Sequence, residues 1–224
     1  MINPIVTKRG KSSIKKRGTS QPSKRETNKL DKLRRIKAAA LDLFLQRGYD
    51  DTTVRMIADQ ASVGLGTMFS YARDKRDLLF LILNEGFEEA VAYAESTVRG
   101  PALSLRQRLQ RIFRHHYLTF SGQPHLYRYA LRELQFYEAT DQAAIFQATR
   151  ERLFRAIVSS IKSAQSASEV STTINPELAA SVLFSVFQAE VRHWISQSQR
   201  NVDEGMIRLE RALDVVLTGL CAKH

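Results

Sequence analysis

The 224-residue sequence predicts an all-α chain of about nine helices, three short or medium ones at the N-terminal end and a longer set after them. Three observations carry that expectation. Only 10 Gly and 5 Pro interrupt the chain, too few for the many tight turns of a β architecture. Apolar residues recur at three- and four-residue steps through most of its length, which is the period of an amphipathic helix. No two segments offer a credible strand pairing.

The elements follow in order. Residues 1–28, rich in Lys, Arg, Ser, Gly and Thr without a hydrophobic period, read as a disordered basic arm. Leu33, Ile36, Ala40, Leu43 and Phe44 then mark a helix that stops at Gly48, where glycine supplies a left-handed cap. Two short helices are expected next. One runs from about Val54 to Ala61, capped by Thr52 or Thr53; the other runs from about Leu65 to Tyr71, after the tight stretch Ser62-Val63-Gly64. A long helix from near Asp74 to about Val98 ends at Gly100-Pro101. Further helices open at Ser104, Pro124, Thr140 and Asp203, and Asn175-Pro176 starts another as a cap followed by a first-turn proline. The domains expected are thus the arm, a helix-turn-helix domain at 29–76 and a helical domain at 77–224.

The formal net charge is +11, and its location says more than its size. Residues 1–37 hold 13 Lys/Arg against Glu26 and Asp31, while the rest of the chain balances at zero. Such a block meets a polyanion: nucleic acid, an anionic membrane surface or an acidic protein. Residues 8–25 lack the bulky apolar side chains of a membrane-surface helix. No apolar run approaches the ~20 residues of a membrane span. The start, ending its apolar stretch at Val6, lacks a signal-peptide core. Cys221 is the single cysteine and cannot form an internal disulfide. A cytoplasmic, nucleoid-associated protein is expected.

Two short helices around a tight turn, preceded by a support helix, have the geometry that places a second helix in the major groove of DNA. Ile57, Ala58, Val63 and Met68 have the spacing to lock the pair together. The ordered residues Ala40, Phe44, Gly48-Tyr49, Thr52-Thr53-Val54, Ile57-Ala58, Ala61, Val63, Gly66-Thr67, Tyr71, Lys75 and Leu78 resemble the DNA-binding region of the TetR (tetracycline-repressor-like) family. The resemblance spans Ile36–Leu79, about a fifth of the chain. It implies that Leu65, Gly66, Thr67, Phe69, Ser70 and Tyr71 lie on the stretch that contacts DNA. It also implies that Lys75 and Thr52 or Thr53 reach phosphates. Arg55, facing outward on the first short helix, is a candidate for guanine or phosphate. Four positions depart from the family pattern: Ser62 for the turn glycine, Gly64 for the serine cap, Phe69 for a tyrosine and Ala72 for an aromatic. Lost backbone contacts of this kind shift affinity towards electrostatics, and the basic arm, laid in the adjacent minor groove, is expected to supply it.

The last two helices are apolar beyond a single stripe, enough to bury one face internally and another against a second copy. A homodimer through a four-helix bundle is expected, as in the family. The middle helices are rich in aromatics with polar tips, and the family places a small-molecule effector there. His116, Tyr117, Phe120, Tyr137 and Trp194 are the candidates for lining a pocket for a small apolar or aromatic ligand. No cofactor, metal or catalytic group is expected: His115-His116 lacks a third ligand at helical spacing, and Glu133 and Glu138 are poorly spaced for paired acid/base work. The function expected is sequence-specific transcription regulation, a repressor released from a palindromic operator by an effector; the alternative is an architectural DNA binder without one.

Overall fold

The computed structural model describes residues 23–133 and 140–220. Among them there are nine helices: α1 (Lys24–Arg47), α2 (Val54–Gln60), α3 (Leu65–Phe69), α4 (Lys75–Arg99), α5 (Leu105–Gly122), α6 (Pro124–Glu133), α7 (Asp141–Ser166), α8 (Pro176–Ser196) and α9 (Val202–Leu220). No strand occurs among the described residues, and no helix of theirs is long and apolar enough to cross a membrane. Residues 1–22, with most of the basic arm, lie outside the described residues, as do Tyr137 and Cys221.

The helix boundaries are written in local chemistry. Thr53, Asp74, Ser104, Thr140 and Asn175 each accept a backbone N–H of the helix they precede. Each such cap satisfies one of the donors a helix start leaves unpaired. Gly48 closes α1 at φ +86°, a conformation an ordinary side chain resists. One boundary differs from the sequence expectation. α1 begins at Lys24, so residues 24–28, assigned above to the arm, are helical. Ser23 and Glu26 form a reciprocal capping box that fixes this start, with 2.7 Å from the Ser23 N–H to the Glu26 carboxylate.

α1, α2 and α3 form the small N-terminal unit, and α4 runs from it into the larger body, where it packs along α5 and α7; α8 and α9 pack on α7 and α5 and on each other. One continuous core joins Ile36 and Ile57 at one end to Ile157, Leu183 and Leu209 at the other. The join between unit and body is polar and buried. Asp77, in the first turn of α4, accepts the backbone N–H of Arg73 at 2.8 Å and the hydroxyl of Thr140, the residue that caps α7. One turn further along α4, and a second after that, Asn84 donates to Gln142 of α7 at 3.1 Å.

The turn between α2 and α3 shows what the departure at Ser62 costs. Ser62 adopts φ +52°, where a Cβ is disfavoured by about 1–2 kcal/mol. Arg35 of α1 offsets part of this by donating to the carbonyls of Ala61 and Ser62 at 2.8 and 3.3 Å. Ser62→Gly is expected to stabilise the fold by about 1 kcal/mol, after the extra entropy of glycine in the unfolded chain is subtracted. In calorimetry that is a rise of roughly 2–4 °C in Tm; a fall would show that the serine hydroxyl is needed in the turn.

Candidate nucleic-acid interface and ligand cavity

Helix α3 is locked from below and open above. Met68, Ile57 and Ala58 are fully buried and Val63 packs against them, as their spacing predicts. Gly66, Phe69 and Ser70 face outward, and Thr67 is half-buried. A Cβ placed on Gly66 would meet nothing within 4 Å, so no neighbour inside the chain requires glycine there. Phe69 is 54% exposed, a large apolar group on the outer face of a five-residue helix. Gly64 precedes α3 with no side-chain cap, as its substitution for serine implies, and Ala72 is buried.

The other candidates divide. Thr53 caps α2 through its oxygen, 3.2 Å from the Met56 N–H, which leaves its hydroxyl proton available at the surface. Arg55 is exposed and forms no ion pair among the described residues. Leu65 is half-buried against the core. Thr52 corrects the sequence expectation: it is buried and its hydroxyl lies 2.7 Å from the Gly48 carbonyl, to which it donates. Lys75 is also turned inward. Its ammonium donates to the carbonyls of Tyr49 and Asp50 at 2.8 and 2.9 Å and lies 4.6 Å over the Tyr49 ring. Two of its three N–H groups thus close the α1–α2 connection. Ser70 donates to the Thr67 carbonyl at 2.7 Å, and the Tyr71 hydroxyl donates across to the Lys29 carbonyl of α1 at 3.1 Å.

The body holds a cavity of about 270 Å³ between α4, α5, α6, α7 and α8. That is close to the lower end of small-molecule sites, ~300–1,000 Å³. Phe87, Phe120, Phe146, Leu153, Phe187 and Val191 make its walls apolar. Its outer end carries Gln147, Arg150, Gln188 and Arg192. The Arg150 guanidinium lies 5.2 Å over the Phe184 ring, beside the Gln188 carboxamide, whose oxygen would accept from it in the flipped amide orientation. Sequence reasoning missed both arginines, because they sit on different helices and each looks like a solvated charge on its own.

His116 and Phe120 line this cavity; Tyr117 and Trp194 do not. Those two pack on each other, centroids 4.9 Å apart, against Gly205 of α9. Tyr117 has a buried hydroxyl without a partner among the described residues. Tyr117→Phe is therefore expected to stabilise the fold by about 1 kcal/mol, since it removes an unsatisfied polar group. Urea unfolding measures it, and a loss of stability would mean that the hydroxyl has a partner in solution.

His116 donates through Nδ1–H to the Ile112 carbonyl at 2.8 Å, so the neutral ring is an acceptor at Nε2. Burial pushes its pKa down to about 4, from 6.5. Above pH 6.5 folded and unfolded states are both neutral here, and the fold loses nothing. As pH falls from 6.5 towards 4 the unfolded chain binds a proton that the folded chain refuses, and stability is lost by on the order of 3 kcal/mol. A His116→Leu variant should lose that slope, read as the difference between the two stability profiles over this window. Parallel profiles would contradict the buried neutral ring.

A three-helix unit with an open α3 face, joined to a helical body with its own cavity, defines a helix-turn-helix protein with a ligand-sized site. Residues 36–82, about a fifth of the chain, match the family described as bacterial regulatory proteins, tetR family. The fatty acid metabolism regulator protein of Bacillus subtilis (strain 168) is 26% identical over 98 residues, 44% of this chain and 50% of that protein. The HTH-type transcriptional regulator HbdR of Aromatoleum sp. (strain CIB) is 46% identical over 48 residues, 21% of each chain. The chain thus spans about half the length of the first of these relatives and about a fifth of the second. Among solved structures, FadR from Bacillus subtilis in complex with stearoyl-CoA superposes with a TM-score of 0.64 at 19% identity, over 84% of this chain and 98% of that one. Thermus thermophilus FadR in complex with lauroyl-CoA gives 0.63 at 22% identity, over 86% and 96%. At these identities the two structures bear on the fold.

Proposed function

We propose that the chain is a homodimeric repressor that binds a palindromic operator through α2 and α3. It releases that operator when a ligand with an apolar tail and an anionic head enters the cavity. The observation that carries the reading is the face of α3, where Gly66 and Phe69 stand uncovered and Thr67 half-exposed above a locked core. A single such unit contacts too little DNA for tight specific binding, so two act together on half-sites about one helical turn apart. The second copy has a surface to use: Leu178 and Val182 on α8, and Ile207 and Val215 on α9, are exposed, Val215 by 77%. On DNA, Thr53, Arg55, Thr67, Phe69, Ser70 and Tyr71 make the contacts, with Gly66 allowing close approach. The protein acts in the cytoplasm, on the nucleoid.

The lining of the cavity supports this ligand class. An apolar interior suits an acyl chain, and Arg150 and Arg192 at its mouth suit phosphates or a carboxylate. The two FadR structures carry acyl-CoA, which has both parts. Occupancy acts on α7, and α7 reaches the DNA unit through the Thr140–Asp77–Arg73 connection. α4 is then the lever that sets the separation of the two α3 helices.

Selection of bound duplexes from a random pool with the full-length protein tests the reading. It should return a palindrome. Binding without sequence preference would favour an architectural role and contradict it.

A further inference from the structure

The first turns of α1 carry four cations for which the fold has no use. α1 starts at Lys24, about three turns before the stretch that matches the family at residues 36–82. Of the two large apolar residues in this extension, Leu33 is partly buried against the core and Leu30 is 59% exposed, so little burial holds its first two turns. The capping box at Ser23 and Glu26 holds its start, and the Tyr71 hydroxyl pins the Lys29 carbonyl. Both carboxylates of the segment are occupied: Glu26 by the Ser23 N–H, and Asp31 by Arg34 and Arg35 at 2.8 and 3.1 Å. Lys24, Arg25, Lys29 and Lys32 form no ion pair among the described residues. Arg25, Lys29 and Lys32 recur at i, i+4 and i+7, one face of the helix, where like charges cost a few tenths of a kcal/mol per pair. The fold tolerates this repulsion and gains nothing from it.

These four side chains line one side of an open cleft of about 750 Å³ whose other side is Ser70 and Tyr71. Those two residues directly follow the helix whose outer face meets the bases in the reading above, on which this inference rests. A duplex lying on α3 would carry one sugar–phosphate strand across the cleft. We propose that the cleft seats the phosphates flanking each half-site, so that the α1 extension is a rigid clamp that lengthens the operator footprint. Base readout is not its role, and geometry decides against the minor groove for this segment: a helix with side chains is ~10–12 Å across and the groove ~6 Å wide. Residues 24–28 therefore grip the backbone from outside, which replaces the arm-in-groove expectation for that part of the chain.

The test compares the full-length protein with a variant carrying Lys24→Gln, Arg25→Gln, Lys29→Gln and Lys32→Gln, on the selected operator and on a random duplex, across a salt series. Each lost phosphate contact removes ~0.9 from the slope of log affinity against log salt, so four cations in each of two protomers should shrink the slope by up to about 7. Affinity at physiological salt should fall roughly 100-fold or more, by the same factor on both duplexes, and hydroxyl-radical protection should vanish at the outer phosphates only. The charge-preserving variant Lys24→Arg, Lys29→Arg, Lys32→Arg should keep the wild-type slope. An unchanged slope and footprint in the glutamine variant, with wild-type protein still binding operator, would overturn the clamp alone and point to an acidic protein as the partner of these cations. If the wild type binds no duplex, the clamp and the DNA-binding reading fall together.

Discussion

Gly66→Leu is expected to leave the fold intact or slightly more stable while lowering operator affinity roughly 10- to 100-fold. The two effects part because the position faces away from the rest of the chain. No atom lies within 4 Å of a Cβ there, so the leucine meets no internal obstacle. Replacing glycine in a helix gains up to ~1 kcal/mol from reduced backbone entropy in the unfolded chain. On DNA the same side chain would hold α3 away from the groove floor and lengthen the hydrogen bonds of Thr67. Fluorescence anisotropy on the selected duplex, beside a thermal melt of the same sample, measures both halves. Unchanged affinity would mean that this face of α3 is not the DNA surface.

Gly205→Val is expected to do the opposite, damaging the fold through a position distant from α3. A Cβ at Gly205 would lie 2.7 Å from ring atoms of both Tyr117 and Trp194. Neither ring can yield. Tyr117 is fully buried, and Trp194 is held by its indole N–H, which donates to the Asn201 carbonyl at 2.9 Å. Forcing a branched side chain into that gap costs about 3 kcal/mol or more, or roughly 6–12 °C in Tm for a chain of this size. Helix propensity predicts the reverse sign, a gain on removing an interior glycine. Gly205→Ala therefore decides which effect wins, and the 2.7 Å contacts say the loss does. A Tm equal to wild type in calorimetry would show that α5 and α9 can separate without cost.

How much of this was legible in the sequence depends on whether a residue's role is local. Caps and breakers are local. Gly48, Thr53, Asn175-Pro176 and Pro124 therefore placed helix ends within a residue or two of where they fall. The start of α1 was not legible from apolar period, because the segment from Lys24 to Lys32 has almost none; the Ser23–Glu26 pair was its only signal. Thr52 and Thr53 are chemically identical neighbours, and only the three-dimensional path that turns Thr52 towards Leu43 and Gly48 separates cap from core. Lys75 read as a phosphate donor because the family resemblance implies that role at its position. The carbonyls that capture it belong to Tyr49 and Asp50, about 25 residues earlier in the chain, and nothing in the pattern around Lys75 points to them. The cavity was half legible. His116 and Tyr117 are adjacent, so their side chains point about 100° apart around α5, one to the cavity and one to α9. Nothing in the pattern of α5 alone says which.

The central claim is that the cavity and the α3 face are two ends of one switch. Operator affinity measured with and without saturating long-chain acyl-CoA, in wild type and in an Arg150→Ala, Arg192→Ala variant, tests it directly. The account predicts that acyl-CoA weakens wild-type binding by ~5- to 150-fold, the usual range of coupling between two sites, and that the variant requires far more ligand for the same release. Operator affinity that does not change at any acyl-CoA concentration, with the ligand shown to be bound, would contradict it.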